Sequence, residues 1–117
     1  MLTERATELG RLIGQSSEYQ AVKRANDALN LDKAAMALLE KMEGLRLDAQ
    51  KIIEGGGNPT PEMEQQLDTL LGDVQTNATY QRVVVANENF DKVMMQVNEW
   101  ILDGIRKGSV SSIITLG

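Results

Sequence analysis

The sequence predicts an all-α fold, a helical bundle of about five helices of which two are long and heptad-patterned, associating as a dimer or higher oligomer. Three observations carry this. Apolar residues recur at alternating spacings of three and four through most of the 117 residues, which is the signature of one helix face. Both prolines, Pro59 and Pro61, sit in a single interruption, E-G-G-G-N-P-T-P, so the remainder is free of helix breakers of that kind. Two of the apolar stripes run for about three heptads, long enough for a helix-pairing seam.

The first helix is read from Leu2, Ala6, Leu9 and Ile13, with Thr3 as its cap. The second starts at Ser17, where S-E-Y-Q fits a capping box: a serine hydroxyl accepts from a first-turn N–H and a glutamine reaches back. Tyr19, Val22, Ala25 and Leu29 then point inward, and Ala21, Ala25 and Ala28 form a slim side that admits another helix closely. Asn30 or Asp32 opens the third helix, since short polar side chains supply the acceptor a helix start lacks. Its seam is Ala35, Leu38, Met42, Leu45, Ala49 and Ile52, ending at Gly55-Gly56-Gly57.

Beyond the loop, Thr60-Pro61-Glu62 places a cap, a first-turn proline and an acid in the order that favours a helix start. Met63, Leu67, Leu70, Leu71 and Val74 give the fourth helix its apolar face. The fifth begins between Asn77 and Thr79 and carries Tyr80, Val83, Asn87, Phe90, Met94, Val97 and Ile101. At about 1.5 Å per residue the helix near 79–107 spans roughly 43 Å, longer than the roughly 35 Å diameter of a compact chain of this size. Its stripe therefore needs a second chain to cover it. Residues 1–107 are assigned to a single helical domain and 108–117, serine-rich and β-branched, to an irregular C-terminal tail.

Composition restricts the chemistry. There is no histidine and no cysteine, and aromatics are 3% of residues. Disulfides, thiolate metal sites and imidazole bases are excluded, and no catalytic, cofactor-binding or metal-binding residue is assigned. Glu40, Asp48, Asp68, Glu88 and Asp91 fall on polar helix faces and read as solvated carboxylates. No oxygen-rich calcium loop occurs, and the triple glycine leads into Asn58-Pro59-Thr60-Pro61 rather than the Gly-Lys-Ser of a phosphate loop. Met36, Met42, Met94 and Met95 read first as core filling and second as an adaptable partner surface. Trp100 has two equal readings, a packed core residue and an interface anchor.

The net charge is −5, and the adjacent basic pairs are Lys23-Arg24 and Arg106-Lys107, too few to neutralise a phosphate backbone. Direct nucleic-acid binding is not expected. No apolar run approaches the roughly 18 residues of a membrane span, and M-L-T-E-R-A-T-E-L lacks the basic start and apolar middle of a signal peptide. A cytoplasmic protein without membrane insertion is expected.

E-Y-Q-A-V-K-R-A followed by N-L-D-K-A-A resembles the YlbF/YmcA/YheA family of small bacterial helical regulators. The resemblance extends over nearly the whole chain through Leu9, Gly10, Ile13, Ser16, Glu18 and Tyr19, the Ala25 and Asp32 positions, a Gly/Pro loop and a final long helix. It implies a non-enzymatic regulatory adaptor acting through protein contacts, similar to regulators of competence, sporulation and biofilm formation that modulate RNase Y. The partners implied are a second copy, a paralogue or an RNase Y-type protein. Some relatives carry cysteine-bound iron–sulfur clusters; with no cysteine here, no cofactor carries over. The alternative reading is a structural self-associating module, and a small-molecule enzyme ranks third. Asn87, polar within an apolar seam, either faces water or pairs across a helix interface to fix register.

Overall fold

The computed structural model describes the backbone of residues 1–116 and the side chains of residues 1–110. Five helices follow one another: α1 (Leu2–Gly14), α2 (Ser17–Leu31), α3 (Lys33–Glu54), α4 (Pro61–Thr76) and α5 (Ala78–Leu116), with no strand among the described residues. The all-α fold class is as the periodicity predicts. The main packing pairs are α2 with α5 and α3 with α4, joined by smaller α2–α3 and α4–α5 contacts. The α2–α5 pair is antiparallel, because Tyr19 stacks on Phe90 at one end (ring centroids 5.3 Å apart) while Asp32 bonds Thr79 at the other.

Two one-residue breaks organise this layout. Asp32 alone separates α2 from α3, and Asn77 alone separates α4 from α5. Each caps the helix that follows: Asp32 Oδ1 accepts from the Ala35 N–H at 3.0 Å, and Asn77 Oδ1 from the Tyr80 N–H at 3.0 Å. The second oxygen of Asp32 accepts from the Thr79 hydroxyl at 2.7 Å and so ties the two breaks to each other. Ala35, three residues after one break, and Val74, three before the other, are the least exposed residues of the core.

The α3–α4 hairpin turns through the glycine loop. Gly56 has φ +87°, a left-handed conformation that only glycine adopts without strain, and the Gly57 N–H donates back to the Ile52 carbonyl at 2.9 Å. Thr60 then caps α4 through the Met63 N–H, with Pro61 in the first turn. Every position of the α3 seam is buried or half-buried.

Three boundary expectations are corrected. Thr3 does not cap α1, which starts from Met1 without a side-chain cap; its carbonyl instead accepts from the Thr7 hydroxyl. The α2 cap is Ser16, not Ser17: its Oγ accepts from the Tyr19 N–H and donates to the Ile13 carbonyl. Gln20 reaches the Gly14 carbonyl rather than closing a capping box. Finally, the segment expected as an irregular tail from 108 continues α5 to Leu116, with Gly117 outside the described residues. Gly108 costs a helix about 1 kcal/mol relative to alanine, whereas a proline would have been needed to stop it.

The molecule is long and thin. Its radius of gyration is 22.0 Å and its extents are 70 × 37 × 21 Å, against about 13 Å for a compact chain of this length. The buried core is Ala35, Ala49, Val74, Val83, Ala86 and Val97, a narrow line of small side chains along the helix pairs.

Two outcomes test this frame. Val74 is 2% exposed, so Val74→Ala should cost about 2 kcal/mol through lost methyl burial and the cavity left behind, read as a lower thermal midpoint by circular dichroism. The Thr79 hydroxyl, and after it the Ala35 amide, hold the Asp32 carboxyl below its ordinary value of 3.8. A depressed folded value means this stabilisation is present above the unfolded value and is lost as pH falls through the folded one. The loss should therefore appear below about pH 4 and be flatter in Asp32→Asn, which is also less stable at neutral pH; parallel pH–melting curves for the two proteins would contradict it.

Candidate functional site

The acidic residues weighed for chemistry do not converge. Glu40, Asp48, Asp68, Glu88 and Asp91 are all exposed, and among the described residues no three carboxylates gather as a metal ion requires. The ion pairs Arg11–Glu8, Arg46–Glu43 and Arg106–Asp103 each join residues one turn apart on a single helix, in solvent. Arg46 holds the Glu43 carboxyl below its usual range through a direct hydrogen bond, and Glu43 raises Arg46 in turn. These pairs lie on exposed helix surfaces.

Two open grooves run between the helix pairs. One of about 750 Å³ lies between α3 and α4, lined by Leu45 and Leu70 with Lys41, Asp48, Glu62 and Gln66. The other, about 650 Å³, lies between α2 and α5 over the small side chains Ala21, Ala25 and Ala28, with Arg24 and Arg82 among its lining. The alanine side of α2, half-buried at Ala21, Ala25 and Ala28, thus borders an open groove beside α5. The polar residues lining these grooves are those of solvated helix surfaces.

What the molecule does present is apolar surface. Along α5 one face carries Val83, Ala86, Phe90 and Val97, of which Val97 is 5% exposed. One and two turns farther along that face, Ile101 is 43% and Ile105 is 60% exposed. Trp100, at 62% exposure, is outside the core of the single chain, which removes the packed-core reading. Met95 is exposed as well, whereas Met36, Met42 and Met94 are half-buried. Asn87 is exposed: Ala86 takes the buried position beside it, so the amide looks to water in the single chain.

At the other end of the sequence, α1 has an apolar stripe and no buried residue; Leu2 is 84% exposed. Leu31, Leu47, Ile53 and Leu71 add isolated apolar side chains elsewhere, of a kind normal on any surface. Exposed large apolar residues concentrate on α1 and distal α5. Periodicity marks both stripes, but which part the chain covers for itself depends on where α2 ends relative to α5, a tertiary fact.

The residues that carried the resemblance are mostly structural. Ser16 caps α2, Tyr19 stacks on Phe90, and Asp32 ties the two breaks. Within the stretch from 16 to 35 these side chains cap helices and join them to their neighbours. No helix among the described residues is long and apolar enough to cross a membrane.

Comparison with known proteins agrees with this architecture. The family model described as "Control of competence regulator ComK, YlbF/YmcA" matches residues 2–106. Similar proteins include a UPF0342 protein of Limosilactobacillus reuteri, 26% identical over 101 residues, covering 86% of this chain and 82% of the relative. A UPF0342 protein of Alkalihalophilus pseudofirmus is 23% identical over 104 residues, covering 89% and 88%. Another, from Leuconostoc citreum, is 20% identical over 96 residues, covering 82% and 81%. With five helices in a matching span of nearly the full chain, this protein belongs to the YlbF/YmcA family, the family described by its control of the competence regulator ComK.

Proposed function

We propose that this protein is a non-enzymatic regulatory adaptor, working in the cytoplasm through self-association and protein contacts in the type of competence control that its family description names. The observation that carries the reading is surface. The chain exposes 9054 Å², whereas a compact monomer of 12.9 kDa exposes about 6,300 Å². Exposed apolar residues concentrate on α1 and α5, and surface of that kind marks sites of protein association. A paralogue of the same family or an RNase Y-type ribonuclease is the partner class that the family resemblance favours.

The same apolar surface also favours a second reading, a structural module that only associates with itself. Removing the gene from its host and mapping RNA ends separates the two. The adaptor reading expects a changed set of RNase Y-type cleavage ends and a changed competence reporter, both restored by the wild-type chain. Unchanged RNA ends and an unchanged reporter would leave the structural module standing.

A further inference from the structure

We infer that the groove between α2 and α5 is a docking site for an amphipathic helix of a partner protein, held by two carboxylates of that helix on Arg24 and Arg82. The inference rests on the adaptor reading and deepens it by naming a surface and the chemistry of the partner that fits it.

The groove is where this acidic chain turns basic. Acids outnumber bases by 17 to 12, and the other large grooves reflect it: the one between α3 and α4 carries Asp48 and Glu62, and the one beside the α4–α5 break carries Glu88. The α2–α5 groove is lined by two arginines and by no carboxylate. Both arginines are exposed. Arg11, Arg46 and Arg106 are each paired on their own helix, whereas neither Arg24 nor Arg82 forms an ion pair among the described residues. Asp27, the nearest acid along α2, does not line the groove.

The spacing of the two cations selects the ligand. The Tyr19–Phe90 stack and the Asp32–Thr79 bond fix the antiparallel register of α2 and α5. Counting inward from those two marks puts Arg24 level with Ala86, and Arg82 is therefore about one helical turn farther along the groove. Two guanidinium forks one turn apart match carboxylates at positions i and i+4 of a helix, each carboxylate accepting parallel N–H bonds from one fork.

A helix is also the shape the groove admits. Its lining runs from Ala21 to Ala28 on α2 and from Asn89 back to Ala78 on α5, a length of about three helical turns. Alanines and Val85, which is 54% exposed, give the apolar face of an incoming helix a shallow bed, the arrangement of helix-in-groove recognition. An extended peptide would find no strand edge to pair with, since both walls are helices whose backbone bonds are internal. A nucleic-acid strand would find no aromatic ring to stack on and two cations only.

The test uses the full chain and three fluorescent alanine–leucine peptides of about 20 residues, long enough to be helical in water, that carry glutamate, glutamine or lysine at one i, i+4 pair. Binding is read by fluorescence anisotropy. Wild type is expected to bind the glutamate peptide about tenfold or more tighter than the glutamine peptide, as close charge pairs at an interface give, and the lysine peptide weakest. Arg24→Gln with Arg82→Gln should abolish that preference at unchanged helix content, because glutamine and arginine have similar helix propensity. Arg24→Glu with Arg82→Glu should reverse it in favour of the lysine peptide. If a double variant loses helix content by circular dichroism, the single glutamine variants replace it, each with part of the loss. In the host, the glutamine pair should fail to restore the RNA ends and the competence reporter that the wild-type chain restores after gene removal. Equal binding of the three peptides, a preference that the glutamine pair retains, or displacement of the glutamate peptide by single-stranded RNA at a lower concentration than by unlabelled peptide overturns the docking site. Full restoration by the glutamine pair in the host overturns it too and leaves the adaptor reading standing. Gene removal without effect overturns the adaptor reading and this inference together.

Discussion

The carboxylate of Asp32 is the point on which the arrangement turns. One oxygen replaces the missing acceptor at the start of α3 and the other receives the hydroxyl of Thr79 in the first turn of α5. A single side chain thereby sets where one helix begins and which segment, far along the sequence, lies next to it. The two helix breaks fall at the same level, so the chain behaves as two long rods interrupted side by side. On one side of the breaks α2 lies along α5, and on the other α3 lies along α4.

Because the rods pair rather than gather into a bundle, each helix buries a narrow line instead of a broad face. Among the described residues alanine and valine make up the whole of the buried core, and small side chains allow close axes but remove little area from water. Such a chain leans on local devices: the caps at Ser16, Asp32, Thr60 and Asn77 and the left-handed turn at Gly56. Thin pairing also leaves the outer flanks free for other chains, which joins the economy of the core to the adaptor role proposed for the molecule.

Much of this was legible in the residues. The α3 seam from Ala35 to Ile52 points inward at every position, and Thr60-Pro61 starts α4 as its chemistry requires, because both depend on neighbours within a turn or two. Ser16 against Ser17 was not resolved by pattern, since either serine offers an oxygen and the choice depends on how α1 ends at Ile13 and Gly14. The helical continuation past Gly108 was missed for a related reason: β-branched residues and glycine weaken a helix without stopping one. Trp100 and Asn87 illustrate the larger limit. Both sit beside a periodic stripe, and whether they are covered depends on where α2 ends relative to α5, a distance that no local spacing encodes.

The α3–α4 hairpin has a bearing on how the chain finds its shape. Thr79 lies 47 residues beyond Asp32, a separation whose closure as an open loop carries an entropic cost that grows with the logarithm of its length. The hairpin is built from contacts between neighbouring helices across a short turn, the kind of local pairing that forms early and quickly. Once it has closed, Asp32 and Asn77 stand together at its base, and α2 and α5 meet as the ends of an already shortened loop. The segment that looks like an appendage to the α2–α5 pair thus shortens the loop that their pairing has to close.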